Sequence, residues 1–278
     1  MSKVLILNNE NVDFENVKAL LEKSGYSVSI SKSVSDLVNA AINKKSDVIL
    51  TTTESVQNKV NIHPAMETQM ETIFSLAKLA QSRDDDTGEH LTRVQNYCRI
   101  LSEELAKNSP YSQLIDNDFI TDIVNASTLH DIGKVGISDL ILLKNAKLTE
   151  DEYEVMKTHT IIGAQTLEDV HSKFGDNSFI RMGKIIARSH HERWDGKGYP
   201  DGLSGEHIPL PARIMAIADV YDALSTKRVY KDAFPQEKCV QIIKEGRGTQ
   251  FDPYIVDAFL RVADKFDDVR QMFCDKVS

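Results

Sequence analysis

The spacing of hydrophobic and polar residues differs between residues 1–62 and the rest of the chain. Three short apolar runs of the kind found in buried strands occur in this first part, at 3–9, 26–30 and 47–52. Helical spacing of apolar residues occurs between them, at 13–23 and 33–42. Because strands and helices alternate, the sequence predicts a small α/β segment, a βαβαβ unit with three parallel strands and helical crossovers.

From Met66 onward the apolar residues recur almost everywhere at helical spacing, and loops rich in Gly, Pro and Asp separate the helical stretches. After a long helical stretch that runs through residues 66–108, further helices are predicted at 117–132, 149–166, 178–191, 211–225, 235–245 and 253–265. The sequence therefore predicts a mainly α domain over residues 63–278, preceded by the α/β segment.

The composition restricts the class of ligand. The chain has 278 residues and a formal net charge of -9, with 41% hydrophobic and 27% charged residues, which is ordinary for a globular protein. A broad surface for DNA or RNA is not expected, because phosphate backbones require clustered Lys and Arg. A small phosphate ligand is compatible with this charge, since metal ions or a local basic pocket can offset it.

The cellular compartment is predicted from absences in the sequence. The N-terminus lacks a cationic region followed by an apolar signal core. No apolar run approaches the ~20 residues that span a bilayer. The cysteines, Cys98, Cys239 and Cys274, are far apart and form no CxxC pair, which favours reduced thiols. We therefore expect a cytoplasmic protein with no membrane partner.

The stretch "HDIGK" ends an apolar-periodic segment and places His130 beside Asp131. A histidine gives one nitrogen to a metal ion, and a carboxylate can bridge two ions with its two oxygens. Lys134 follows four residues after His130, on the same face of a predicted helix, where its ammonium could reach a bound anion. Gly133 leaves room for close approach. The alternative is a buried His–Asp hydrogen bond beside a surface lysine.

Further candidate ligands occur in acidic or paired contexts. Asp86 and His90, in "DDDTGEH", have the spacing of two ligands on one helical turn, although acids at a helix start also suit the helix dipole. His190 and His191 stand side by side before a glycine-rich turn, and neighbours on a helix point about 100° apart. They could serve two adjacent ions or surround one corner of a cluster.

Two acids lie in the apolar stretch "RIMAIADVYDAL". Asp219 is a candidate ligand, and Asp222 is expected to have a partner because burying an unpaired carboxylate is costly. His159, in "MKTHTIIGAQ", is a weaker candidate by itself. The full set of predicted donors is Asp86, His90, His130, Asp131, His159, His190, His191 and Asp219.

This donor set exceeds the six ligands or so of one octahedral ion and so implies at least two. Histidine and carboxylate donors without cysteine favour Fe or Mn, with Zn as an alternative. Clustered divalent ions favour phosphoester chemistry, because they lower the pKa of water and hold phosphate oxygens. Lys134, Arg228 and Lys231 are candidate phosphate contacts. Taken singly, Arg228 and Lys231 also fit the description of solvated surface charges.

Several motifs in this order resemble the HD-GYP family: "HLTRV", "HDIGK", "HTIIGAQTL", "HHERWDGKGYPDGLSGEHIPLPARIMAIADVYDALST" and "FDP". The resemblance covers residues 66–266. It implies a helical metal-dependent phosphodiesterase that hydrolyses cyclic dinucleotides, chiefly cyclic di-GMP. By position, the two-metal ligands would be His90, His130, Asp131, His159, His190, His191 and Asp219. Asp86 stands where one subgroup has a glutamate that accompanies a third metal, so two or three ions are expected.

The same resemblance suggests roles for other residues. Asp131 and Lys134 would be catalytic, and Lys134, Arg228 and Lys231 would contact substrate phosphate. Gly198, Tyr199 and Pro200 match the signature loop, which would lie near the site or contact a protein partner. A rigid turn packed on the helices is an equal alternative for this loop.

Residues 1–62 resemble the first half of a response-regulator receiver. Asn8 and Asn9 stand where that family has its acidic pair, and Thr52 stands where the phosphoacceptor aspartate ends the third strand. We therefore expect no phosphorylation by the usual route. Three strands leave an open edge that can recruit another chain, which suggests a homodimer through this segment.

The expected reaction is hydrolysis of cyclic di-GMP to pGpG, with further cleavage to GMP left open. The motifs leave other substrates open, such as 3',3'-cGAMP or a nucleoside monophosphate, because metal ions read phosphate and not base. A third alternative is a sensor that binds cyclic dinucleotide without hydrolysing it.

Overall fold

The computed structural model describes the chain in separate stretches. These are residues 3–7, 27–31, 48–51, 74–75, 77–78, 80–81, 89–174, 177–226 and 233–274. The chain divides into two compact units, Met1–Gln69 and Met70–Ser278.

The described residues of the first unit form three parallel strands. They are β1 (Lys3–Leu7), β2 (Ser27–Ser31) and β3 (Val48–Thr51). β1 lies in the middle, in the order β2-β1-β3, with Val4 opposite Val28 on one side and Val48 on the other. The predicted strands are therefore present and parallel. The predicted helices between them lie outside the described residues, and the likeness to a receiver stays a prediction.

The second unit is helical, as the sequence predicts. Its α-helices with both ends among the described residues are α1 (Glu89–Lys107), α2 (Asn117–Ala126), α3 (Asp139–Leu142), α4 (Glu150–Lys157), α5 (His159–Phe174), α6 (Ser178–Ser189), α7 (Leu210–Ser225), α8 (Gln236–Glu245) and α9 (Pro253–Cys274). Short 3-10 turns occupy Ser112–Leu114, Ser127–Leu129, Ile132–Gly136 and Gly205–His207. None of the described helices is both long and apolar enough to cross a bilayer.

Three predicted helices end or break earlier than their apolar spacing suggests. The prediction 117–132 is wrong beyond Ala126, where 3-10 turns follow. The Ser127 and Thr128 hydroxyls there donate to carbonyls three residues back, which competes with continuation of the helix. The predicted helix 149–166 is two helices separated at Thr158, whose hydroxyl donates in the same way to Val155 O. The helix predicted at 178–191 ends at Ser189, so His190 and His191 lie beyond it.

The hydrophobic core joins α1, α7 and α9, and α1 packs against both of the others. The fully buried rings of Tyr97 and Phe266 stack at 4.6 Å between centroids, and Tyr221 meets Phe266 edge-on at 5.1 Å. α7 is buried on almost every face, as expected for a helix whose residues are mostly apolar. This core fixes α1 relative to α7, and these two helices carry His90 and Asp219.

Candidate metal centre

The structure brings the predicted donors together in two groups. The four-residue group contains Asp131, His159, His190 and His191, and the three-residue group contains His90, His130 and Asp219. Within each group the potential ligand atoms lie within 4.8 Å of one another. Asp86 lies outside the described residues, as do Arg228 and Lys231.

Helix ends and short turns position most of these side chains. His130 and Asp131 lie between two 3-10 turns, and His159 is the first residue of α5. Gly133 makes the approach of these segments feasible, because a Cβ there would lie 1.9 Å from the His159 carbonyl oxygen. The absence of a side chain at Gly133 therefore allows the backbone of α5 to approach, as predicted. This approach brings His159 beside Asp131.

Two expectations about helical faces are wrong. His130 and Lys134 do not share a helical face, because the backbone from Ile132 to Gly136 forms a 3-10 turn. Lys134 instead places its Nζ 2.9 Å from Asp131 Oδ2. His190 and His191 are not successive residues within a helix. Their ring centroids are 4.0 Å apart, and both rings belong to the four-residue group.

Asp131 lies between the two groups and turns one oxygen toward each. Its Oδ1 is 3.3 Å from His159 Nε2 and 3.7 Å from His190 Nε2. Its Oδ2 is 3.2 Å from His130 Nε2. His130 Nε2 is in turn 3.3 Å from His90 Nε2 and 4.0 Å from Asp219 Oδ1. One carboxylate is therefore placed to be shared by both groups.

Four of the histidines are oriented through Nδ1. His130 donates to Ser127 O at 2.8 Å, His159 donates to Met156 O at 2.7 Å, and His190 lies 3.0 Å from Ile186 O. His90 donates to the Asp222 carboxylate at 2.7 Å. Because these oxygens only accept hydrogen bonds, Nδ1 carries a proton in each ring, and in the neutral imidazole Nε2 keeps its lone pair. Histidines that bind metals are held in this way by a second partner.

Several buried atoms of the centre have no hydrogen-bond partner among the described residues. They are Asp131 Oδ1, His159 Nε2 and His190 Nε2. Leaving such a buried acceptor unsatisfied costs about 1–3 kcal/mol, so three neighbouring ones are expensive unless a cation meets them. The donor set and these unsatisfied lone pairs therefore fit divalent metal ions.

The pKa values of His159 and His191 agree with neutral imidazoles that present lone pairs. Burial lowers the pKa of His159 to about 4 and holds the pKa of His191 well below its usual value. Burial would also lower the pKa of His130, but the nearby carboxylates of Asp131 and Asp219 raise it to about 9. A divalent cation at this position would take the place of that proton. Burial alone would raise the pKa of Asp131, whereas Lys134 and His130 hold it well below its usual range.

A buried ion pair supports His90 at its Nδ1 atom. Asp222 accepts from Arg93 Nε at 2.6 Å and from Arg93 Nη2 at 2.9 Å, besides its bond to His90. The sequence predicted that Asp222 has a partner, and this is confirmed. Arg93 was missed as that partner. Its position three residues after His90, on the same face of α1, is the signal that could have identified it.

The signature loop lies beside the four-residue group. The Tyr199 ring lies against the His191 ring, with centroids 4.8 Å apart and an interplanar angle of 31°. Lys157 Nζ lies 5.6 Å from the centroid of Tyr199 and 5.6 Å from that of Tyr153. Neither Lys157 nor Tyr153 was identified from the sequence, because a lysine and a tyrosine near the end of a helix carry no distinguishing pattern.

Comparison with known proteins adds a family and named relatives. Residues 75–255 match the family model described as HD domain. A cyclic di-GMP phosphodiesterase of Vibrio cholerae is 48% identical over 227 residues, which are 82% of this chain and 45% of that protein. A probable cyclic di-GMP phosphodiesterase of the same organism is 44% identical over 240 residues, 85% of this chain and 54% of that protein.

A third relative carries a different substrate in its name. The 3'3'-cGAMP-specific phosphodiesterase 2 of Vibrio cholerae is 38% identical over 209 residues, 75% of this chain and 38% of that protein. The chain spans about half the length of the first two relatives.

Proposed function

The chain belongs to the HD-GYP branch of the HD domain family, and on this basis we propose that it hydrolyses cyclic di-GMP to pGpG. Cleavage of pGpG to GMP is a second reaction that the same site would support. Relatives named for cyclic di-GMP hydrolysis, at 48% and 44% identity, support this substrate.

One observation carries the proposal: two groups of ligands meet at Asp131 and leave buried lone pairs unsatisfied. The residues that would hold the ions are His90, His130, Asp131, His159, His190, His191 and Asp219, with Asp86 as the ligand of a third ion. Nitrogen and oxygen donors without sulfur favour Fe or Mn. Such ions, when bound, supply an activated water and Lewis-acid contacts to phosphate oxygens.

The chain's own residues would bind and orient the phosphodiester. The Lys134 ammonium lies next to Asp131, so it would contact a phosphate oxygen of a substrate bound there. Arg228 and Lys231 are proposed for the other phosphate contacts. The carbonyls that hold Nδ1 of His130, His159 and His190 keep those imidazoles in place during turnover.

A second substrate, 3',3'-cGAMP, is the alternative that a specific finding favours. A relative at 38% identity is named for that activity. Cyclic di-GMP ranks first because the relatives named for it are more similar to this chain.

Several further properties are part of the proposal. Residues 63–278 would form the catalytic domain, and residues 1–62 a receiver-like segment that is not phosphorylated. A homodimer through this segment, a protein partner at Gly198, Tyr199 and Pro200, and a cytoplasmic location complete the proposed arrangement.

The test is a panel of cyclic dinucleotides given to protein loaded anaerobically with Fe or Mn, with products resolved by chromatography. We expect cyclic di-GMP to be converted to pGpG, and 3',3'-cGAMP to be cleaved more slowly. The double substitution His130→Ala and Asp131→Ala should abolish turnover, because it removes a ligand from each group. Binding of cyclic dinucleotide without any product would instead indicate a sensor, and full activity of the double variant would refute the site.

A further inference from the structure

His191 is held differently from the other histidines of the centre. His90, His130, His159 and His190 each have an oxygen acceptor at Nδ1. For His191, the part of the chain that the structure describes provides no hydrogen bond to either ring nitrogen. The His191 ring instead lies against Tyr199 at 4.8 Å and against His190 at 4.0 Å, both in tilted contact. The Tyr199 ring thus supports His191 in the way that a carbonyl or carboxylate oxygen supports the other four histidines.

The loop that carries Tyr199 is tied to the backbone next to His191. Gly198 lies so close that a Cβ there would be 2.4 Å from Arg193 N and 2.5 Å from Glu192 Cα. Any other residue at position 198 would therefore push the loop away. Tyr199 N donates to the His191 carbonyl at 3.3 Å, which draws the tyrosine over the histidine that it contacts.

Glu192 secures the far side of the same loop. The residue is 3% exposed, and its two carboxylate oxygens accept from Asp201 N at 2.7 Å and from Leu203 N at 3.0 Å. A buried carboxylate that is satisfied by two backbone amides fixes the path of the chain between them. Tyr199 lies within the segment that Glu192 closes.

We propose that the signature loop is a positioning element of the metal centre, in which Tyr199 orients the His191 imidazole and Glu192 with Gly198 holds Tyr199 in place. This rests on the proposed function only in that His191 is taken as a metal ligand. Removal of partners that orient a ligand reduces metal affinity by about 10- to 100-fold. The loop would therefore act on ion binding even before any substrate is present.

The test compares Tyr199→Leu with Tyr199→Phe in the full chain. Metal-free protein is titrated with Co²⁺, and both calorimetry and the visible d–d absorption are recorded, since the spectrum reports ligand geometry. We expect Tyr199→Leu to weaken one of the two sites by about 10- to 100-fold, to alter its spectrum and to leave the other site unchanged. Tyr199→Phe keeps the ring and should match the wild type in both measurements.

Two further variants separate orientation from general damage. Tyr254→Leu removes a half-exposed ring of α9 that packs on Tyr111, and it should leave Co²⁺ binding unchanged. Glu192→Ala should weaken the same site as Tyr199→Leu, and Glu192→Gln, which keeps one acceptor oxygen, should lie between Ala and the wild type. The melting temperature of each metal-free variant shows whether it is folded.

Equal affinity and an identical spectrum for Tyr199→Leu and the wild type would overturn the inference, as would an equal loss in Tyr199→Phe. The comparison measures metal binding and not turnover. A wild-type protein that binds two ions and cleaves no cyclic dinucleotide would therefore refute the proposed function alone.

Discussion

The two ligand groups of the centre differ in one supporting interaction, the ion pair next to His90. In the three-residue group, His130 donates to the Ser127 carbonyl, whereas His90 depends on a buried ion pair, in which Asp222 joins the imidazole to Arg93. In the four-residue group, His159 and His190 donate to backbone carbonyls. A side-chain partner can be removed by mutation, whereas a backbone carbonyl cannot. Neighbouring sites with similar ligands should therefore differ in how strongly they respond to substitution of the residues that support the ligands.

The substitution Asp222→Ala should have the largest effect. It removes the carboxylate that accepts two hydrogen bonds from buried Arg93, and it releases Nδ1 of His90, so we expect a loss of about 3–5 kcal/mol in the free energy of unfolding. Chemical denaturation of the metal-free protein measures this loss. Metal binding to the three-residue group should weaken as well.

The matched control for that change is Asp257→Ala. Asp257 also accepts two bonds from an arginine, Arg247, at 2.7 Å each, but the two side chains are 43% and 46% exposed. An exposed pair contributes about 0–1 kcal/mol, so this variant should be nearly as stable as the wild type. Equal losses in the two variants would show that the buried pair has no special role.

Removal of metal should have the next largest effect. Ions that bind only the folded protein stabilise it by about 2.7 kcal/mol at a free concentration one hundred times the dissociation constant. For a domain of this size the melting temperature should then fall by about 5–10 °C when a chelator is added. In Asp222→Ala the fall should be smaller, because mainly the four-residue group still binds. An unchanged melting temperature with chelator would contradict metal binding by the folded chain.

The smallest expected effect is a pH dependence in the stability of the metal-free protein. The folded-state pKa of His159 is about 4, and burial is the main cause, so the unfolded chain binds more protons than the folded one between about pH 6.5 and 4. This group therefore costs stability as the pH falls, by about 2 kcal/mol between pH 7 and pH 5.

Urea unfolding at pH 7 and at pH 5, with chelator present, measures this difference. His159→Leu should lose about 2 kcal/mol less than the wild type over that interval, whatever its stability at pH 7. His207→Leu, at an exposed position, should behave as the wild type does. The same pH dependence in His159→Leu and the wild type would mean that His159 titrates normally.

Much of the centre could be predicted from the sequence because its donors occur in short, dense motifs. "HDIGK" identified His130 and Asp131, and "HHERWDGKGYP" identified the paired histidines. The sequence predicted that Asp222 has a partner but did not identify Arg93, because Arg93 is distant in sequence from Asp222 and belongs to another helix. The face of Lys134 was mispredicted, because apolar spacing does not distinguish an α-helix from the 3-10 turns that Ser127 and Thr128 favour.

The sequence by itself determined the mainly helical class of the second unit, the three strands of the first, and the residue types available for metal binding. These follow from local periodicity and from chemistry that each residue carries wherever it lies. The tertiary structure alone decided that Asp131 lies between the two groups, that Asp222 pairs with Arg93, and that Tyr199 covers His191. Such contacts join segments distant in sequence, or depend on the path of a loop, and both are set by how the helices pack.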